Sequence, residues 1–139
     1  MAKPKKSWAE KMQSDKLPVV KPAPIDIAGM KAGQIMLVPT AKLIDAAVRA
    51  IPEGQSLSIP AFRTQLAKQH QAEVCCPITT GILLRIVAEA AFENYEAGTD
   101  LADVTPVWRV LDRDAPTMKK LSYDPEFLLE LRSQEGITS

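Results

Sequence analysis

The chain is poor in aromatic residues: two Trp, two Tyr and three Phe make 5% of its 139 residues. A core must therefore be built from Ala, Val, Ile and Leu. Histidine occurs once, as His70, and cysteine twice, as the neighbours Cys75 and Cys76. Adjacent cysteines rarely bridge each other, which excludes a disulfide framework; the expected location is the reducing cytoplasm. Two thiols and one imidazole fall short of the four ligands of a structural zinc site, so neither a metal nor another cofactor is expected. No apolar run approaches the ~20 residues needed to cross a bilayer, and no membrane partner is expected. The lysines at the start are not followed by the apolar stretch of a secretory signal.

Net charge is also lacking, but zero is a sum of unlike parts. Residues 1–21 carry six lysines against Glu10 and Asp15, or +4, and residues 91–139 carry five bases against ten acids, or −5. Phosphate neutralisation by Lys and Arg supplies most of the affinity of DNA-binding proteins. A neutral chain with an acidic last third therefore argues against strong non-specific DNA binding.

What is present is 46% hydrophobic and 24% charged residues, the mix of a globular chain with one core. Residues 1–6 read as a basic, disordered start. Ser7 and Glu10 fit a capping box for a short helix, which Trp8 pins to the domain or which serves as a docking arm. Pro18, Pro22, Pro24 and Gly29 make residues 17–30 an extended linker, so that 1–30 is an arm and 31–139 the domain. Gln34 to Val38 reads as a buried strand, or as an extended segment lying along the core. Thr40 caps a helix with an Ile44, Ala47, Val48, Ile51 stripe that Pro52 and Gly54 end. Ser58 opens a second helix, with Pro60 in its first turn, that runs to about His70. His70 itself reads as an exposed surface residue.

Cys75 to Gly81 leads into the longest apolar helix, with Thr79 or Thr80 as its N-cap and Gly98 as its stop. Val104 to Leu111 is β-rich, Asp112 to Pro116 reads as a turn, and Asp124-Pro125-Glu126 starts a last helix that Gly136 ends. The fold class is mainly α with a small β element. Its helix pattern fits a winged helix-turn-helix, or nearly as well a plain bundle with a strand pair.

Several short segments in order resemble the C-terminal domain of the O6-alkylguanine-DNA alkyltransferases. Ile51-Pro52-Glu53-Gly54 is similar to the family's Ile-Pro-x-Gly. Pro106-Val107-Trp108-Arg109-Val110 is similar to its Pro-Cys-His-Arg-Val, and Leu131 to Glu135-Gly136 to its closing Leu-x-x-x-Glu-Gly. The likeness spans residues 40–137. Cys76-Pro77-Ile78-Thr79-Thr80-Gly81 and Thr105-Pro106-Val107-Trp108-Arg109 also resemble segments of a bacterial branch of that superfamily. The resemblance implies a winged-helix domain in which Val107 stands for the reactive cysteine, Trp108 for the histidine, and Glu135 for the glutamate behind them. It implies loss of the tyrosine at Ser58-Ile59, and no arginine finger around Thr80 and Gly81.

Alkyl transfer needs a thiolate beside a base. Val107 cannot attack and Trp108 cannot accept a proton, so the expectation is a non-catalytic, alkyltransferase-like protein that binds alkylated or otherwise damaged DNA for repair. The other expectations are a repurposed domain that binds a protein partner or small ligand, and thiol chemistry at Cys75 or Cys76 beside a helix N-terminus. Candidate contacts are Ser58, Thr79, Thr80 and Gly81 toward phosphate. Trp108 and Arg109 are candidates to stack on a flipped base or, alternatively, to act as a core anchor and a structural arginine.

Overall fold

A computed structural model describes residues 7–14 and 16–137; the basic start over 1–6 lies outside them. In order these are α1 (Trp8–Met12), β1 (Val19–Pro22), β2 (Ile35–Val38), α2 (Ala41–Arg49), α3 (Ile59–Gln69), β3 (Val74–Cys75), α4 (Pro77–Glu96) and α5 (Glu126–Gln134). Three 3-10 turns, Leu101–Asp103, Val107–Arg109 and Pro116–Lys120, fill the stretch between α4 and α5. The fold is mainly α with one small sheet. None of the helices among the described residues is long and apolar enough to cross a membrane.

Side-chain caps set most of the helix starts. Ser7 Oγ accepts from Glu10 N–H, Thr40 Oγ1 from Leu43 N–H and Ser58 Oγ from Ala61 N–H, each taking up a donor the first turn leaves free. Asp124 Oδ1 accepts from Glu126 N–H at the start of α5. Trp8 is half-buried beside α4, where Ala9 N–H donates to Glu93 Oε1 at 2.7 Å, so α1 is pinned to the domain.

The sheet runs β1-β2-β3, antiparallel then parallel, with Val19 opposite Val38 and Leu37 opposite Cys75. The stretch read as a linker is extended, but Val19–Pro22 within it is the outer strand of this sheet. Ala23 N–H donates to Gln34 O across to β2, so by alternation Val19 and Lys21 also face β2, and Pro18, Val20 and Pro22 face outward. Two of those three outward positions have no N–H to offer, which blunts the edge against a further strand. Leu37 and Cys75 face the main core, and Met36 and Cys76 face a small second cluster with Ala23 and Met30.

Three sequence expectations fail here. Val104 to Leu111 is no strand. Val107–Arg109 is a 3-10 turn, with Val110 and Leu111 N–H both donating to Val107 O. The branched and aromatic side chains suit burial on every side rather than a half-buried strand: every residue from Val104 to Leu111 except the half-buried Arg109 is buried. The long helix starts earlier than Thr79. Cys76 holds the N-cap position, and Pro77 enters the first turn, where its fixed φ fits and its missing N–H costs nothing. Thr80 is therefore inside the helix, donating its hydroxyl back to Cys76 O at 2.7 Å. The α3–α4 connection, residues 70–76, contains β3, and no strand follows α4 among the described residues. His70 is half-buried, its Nδ1 3.1 Å from Leu66 O, rather than exposed.

Gly81 sits inside α4 and is exposed, with no atom within 4 Å of where a Cβ would stand. A helix-interior glycine costs about 1 kcal/mol relative to alanine, and nothing within the fold offsets it.

Three helices end alike. In α4 and α5 the last turn closes by paired bonds, Thr99 N–H to Asn94 O and Ile137 N–H to Arg132 O, around Gly98 and Gly136 at positive φ. In α3 the same closure, Ala72 N–H to Ala67 O and Gln71 N–H to Lys68 O, is built around Gln71 at φ 57. The left-handed conformation costs a side-chain-bearing residue roughly 1–2 kcal/mol, and glycine's extra chain entropy takes back roughly 0.5–1. Gln71→Gly is expected to stabilise the protein by roughly 0.5–1 kcal/mol, and Gly136→Ala to destabilise it, in denaturant titrations at matched m-values; a lower midpoint for Gln71→Gly would refute this account of the helix end.

Candidate functional site

The Val107–Arg109 turn, the loop after α2 and the end of α5 meet at the Glu135 carboxylate. Its Oε1 accepts from Arg109 Nε and from Gly54 N–H, both at 2.9 Å. Its Oε2 accepts from Trp108 Nε1 at 2.7 Å and Arg109 Nη2 at 2.9 Å. Arg109 thus pairs bidentately, and its Nη1 donates to Ile51 O at 2.9 Å. One turn earlier in α5, the buried Arg132 donates from Nη1 to Trp108 O at 2.6 Å and to Ser56 Oγ at 3.2 Å. Four donors saturate the carboxylate. Burial alone would push the Glu135 carboxyl up, but Arg109, Gly54 N–H and the Trp108 indole together hold it down at about 2.

This arrangement supports no alkyl transfer. Val107 is fully buried, at 0% exposure, and offers no nucleophile. The Trp108 indole is a donor only, already spent on Glu135, and a carboxylate held near 2 is a poor base at neutral pH. Trp108 is 3% exposed, so its ring has no face open for a flipped base; it is the core anchor and Arg109 the structural arginine beside it. A cleft of about 450 Å³ lies alongside, bordered by Glu53, Leu101, Ala102 and Gln134.

The thiols are equally closed. Cys75 and Cys76 are both buried. Burial is the largest effect on Cys75 and pushes its thiol up, against a weaker opposing hydrogen bond with Thr80 Oγ1 at 3.3 Å. The expected activation by a helix start is therefore not realised at Cys75. Thr80, at 0% exposure, cannot reach a phosphate. Ser58 is exposed and accepts from Ala61 N–H in its cap, which leaves its O–H free to donate, and Thr79 is half-buried. Among the described residues no group of three or more His, Cys, Asp or Glu could hold a metal ion.

What remains open is the outer face of the first turns of α4. Ile78 and Ile82 are 51% and 59% exposed there, with Gly81 between them. Two grooves, about 520 and 270 Å³, flank this face and share Gly81, Ile82 and Lys120. Arg63 of α3 lines the first; Lys11 of α1 and Arg85 of α4 line the second. Among the described residues no acidic side chain lines either groove, and none of these four cations forms an ion pair. Lys11 Nζ lies 4.0 Å and Arg85 Cζ 5.2 Å from the Trp8 ring centroid, so the indole holds both at the groove wall.

Sequence reasoning singled out Gly81 but missed its neighbours. The i, i+4, i+8 recurrence of Ile78, Ile82 and Ile86 beside Arg85 was a usable signal of a second face on α4. Arg63 and Lys120 come from other segments, and only the fold brings them together. Arg132 was missed because an arginine on a short, otherwise amphipathic helix carries no sign of burial. No family model, curated protein or solved structure matches the chain.

Glu135 links the site to pH. Its carboxyl titrates near 4.5 when unfolded and near 2 when folded, so its contribution is full above pH 4.5 and is lost as pH falls from there toward 2. That contribution is on the order of 3 kcal/mol. Glu135→Gln should destabilise the protein at pH 7 by a comparable amount and flatten the acid limb between pH 4.5 and 2 in urea titrations across pH. Parallel acid limbs for the two proteins would show that the carboxylate is not the group responsible.

Proposed function

We propose that this chain is an alkyltransferase-like winged-helix domain that binds duplex DNA through the outer face of α4 and transfers no alkyl group. The observation that carries the proposal is local charge: among the described residues every charged side chain lining the two grooves beside Gly81 is a cation, namely Lys11, Arg63, Arg85 and Lys120. Cations from four segments that converge on the exposed first turns of α4, without an ion pair to any described residue, are the footprint of a phosphate-binding surface. The apolar floor formed by Ile78 and Ile82 suits sugar and base-edge contact, and would also suit a protein partner. The cations tip the balance toward DNA. With Val107, Trp108 and Glu135 closed, the protein marks or covers DNA for other repair proteins rather than acting on the lesion, and O6-methylguanine adds little to its affinity.

The test is titration of a short duplex, with and without O6-methylguanine, at two salt concentrations. Four phosphate contacts give a log–log slope of roughly −3.6, so affinity should fall on the order of 100-fold between 50 and 200 mM salt. Arg63→Glu with Lys120→Glu should weaken binding more than tenfold without moving the melting temperature, and the protein's mass should be unchanged after incubation with the alkylated duplex. Absence of salt-dependent binding, or indifference to the two reversals, would defeat the proposal and leave a protein partner as the reading of this face.

A further inference from the structure

We infer that Gly81 is the point of closest approach between α4 and the sugar–phosphate surface of the bound duplex, an inference that rests on the duplex-binding reading above. Gly81 lies inside a 20-residue helix, where glycine is unfavourable, and it is exposed. Its φ is not left-handed and a Cβ there would meet nothing within 4 Å among the described residues, so neither backbone conformation nor their packing calls for glycine. A glycine that the fold does not use marks a place where another surface comes within reach of the helix backbone.

The neighbours say which surface. Gly81 shares one side of α4 with Ile78, Ile82 and Arg85, since residues three and four apart fall on one face. It borders both grooves, with Arg63 to one side, Lys11 and Arg85 to the other, and Lys120 common to the two. Cations on both flanks and a bare backbone in the middle fit a polyanionic ridge lying across the helix. The flanking bases take phosphates while the missing side chain lets the ridge settle against the first turns of α4. A methyl group at this position would stand in that contact without disturbing the protein.

Gly81→Ala therefore separates stability from binding, in the full chain and with the same duplex. The melting temperature should rise by roughly 4 °C. Affinity should fall about tenfold or more, as expected for overfilling a close contact. The salt slope should stay at the wild-type value because no phosphate contact is removed, whereas Lys120→Glu should make it shallower. If the wild-type protein binds in a salt-dependent way and Gly81→Ala binds as tightly or tighter, this inference falls and duplex binding stands. A lower melting temperature for Gly81→Ala would also overturn it, by showing that the fold itself needs the glycine. If the wild-type protein binds no duplex, the underlying reading fails and takes the inference with it.

Discussion

One carboxylate joins the last helix to the rest of the protein. Glu135 receives four N–H donors, from Gly54, Trp108 and Arg109, across separations of 81, 27 and 26 residues. Arg109 passes the connection on, donating to Ile51 O and accepting from Leu57 N–H through its own carbonyl. Arg132 adds a second tie one turn away, to the Trp108 carbonyl. Replacing such a network wholesale by apolar groups can be neutral, whereas removing one member leaves the others without their partners. The network therefore specifies geometry: it fixes where the Val107–Arg109 turn lies against α4, and hence where α4 stands.

The same saturation closes this region to chemistry. A catalytic carboxylate needs a lone pair or a proton to offer, and both oxygens of Glu135 already accept two donors each. An indole in place of an imidazole fits this use, since it donates once and accepts nothing. Val107 and Trp108 then fill the core from the turn, and the outer side of α4 is left as the exposed surface with both apolar and charged character.

The sequence was most legible where one residue type decides a local outcome. Thr40 and Ser58 as caps, Asp124-Pro125 as a helix start, and Gly98 and Gly136 as helix ends act within one turn of chain and stand where expected. Legibility ended where distant segments decide. Val104 to Leu111 has strand composition, but its neighbours enclose it on all sides and it has no partner strand. Pro77 outcompeted Thr79 and Thr80 as the start of α4 because its fixed φ suits a first turn. Val19–Pro22 lay hidden among prolines, and those prolines turn out to face the open edge. Arg109 and Glu135 could be singled out by resemblance, but not Arg132, whose role depends on a carbonyl 24 residues away.

Charge shows the same division between sum and place. A net charge of zero weighed against DNA binding, yet at physiological salt a charge is felt over only about 8 Å. Acids of the last third such as Asp112, Asp114 and Glu126 line neither groove, whereas Lys11, Arg63, Arg85 and Lys120 do. Four cations from four segments, with no acid among the described lining residues, form a local field that a whole-chain count averages away. Net neutrality would still matter to the proposed duplex binding. It removes long-range steering and the general stickiness of a basic protein, so that affinity would depend on seating the α4 face rather than on diffuse attraction. A face of that kind gains more from close fit than from added charge, which is the physical setting in which a bare glycine in the first turns of the helix becomes useful.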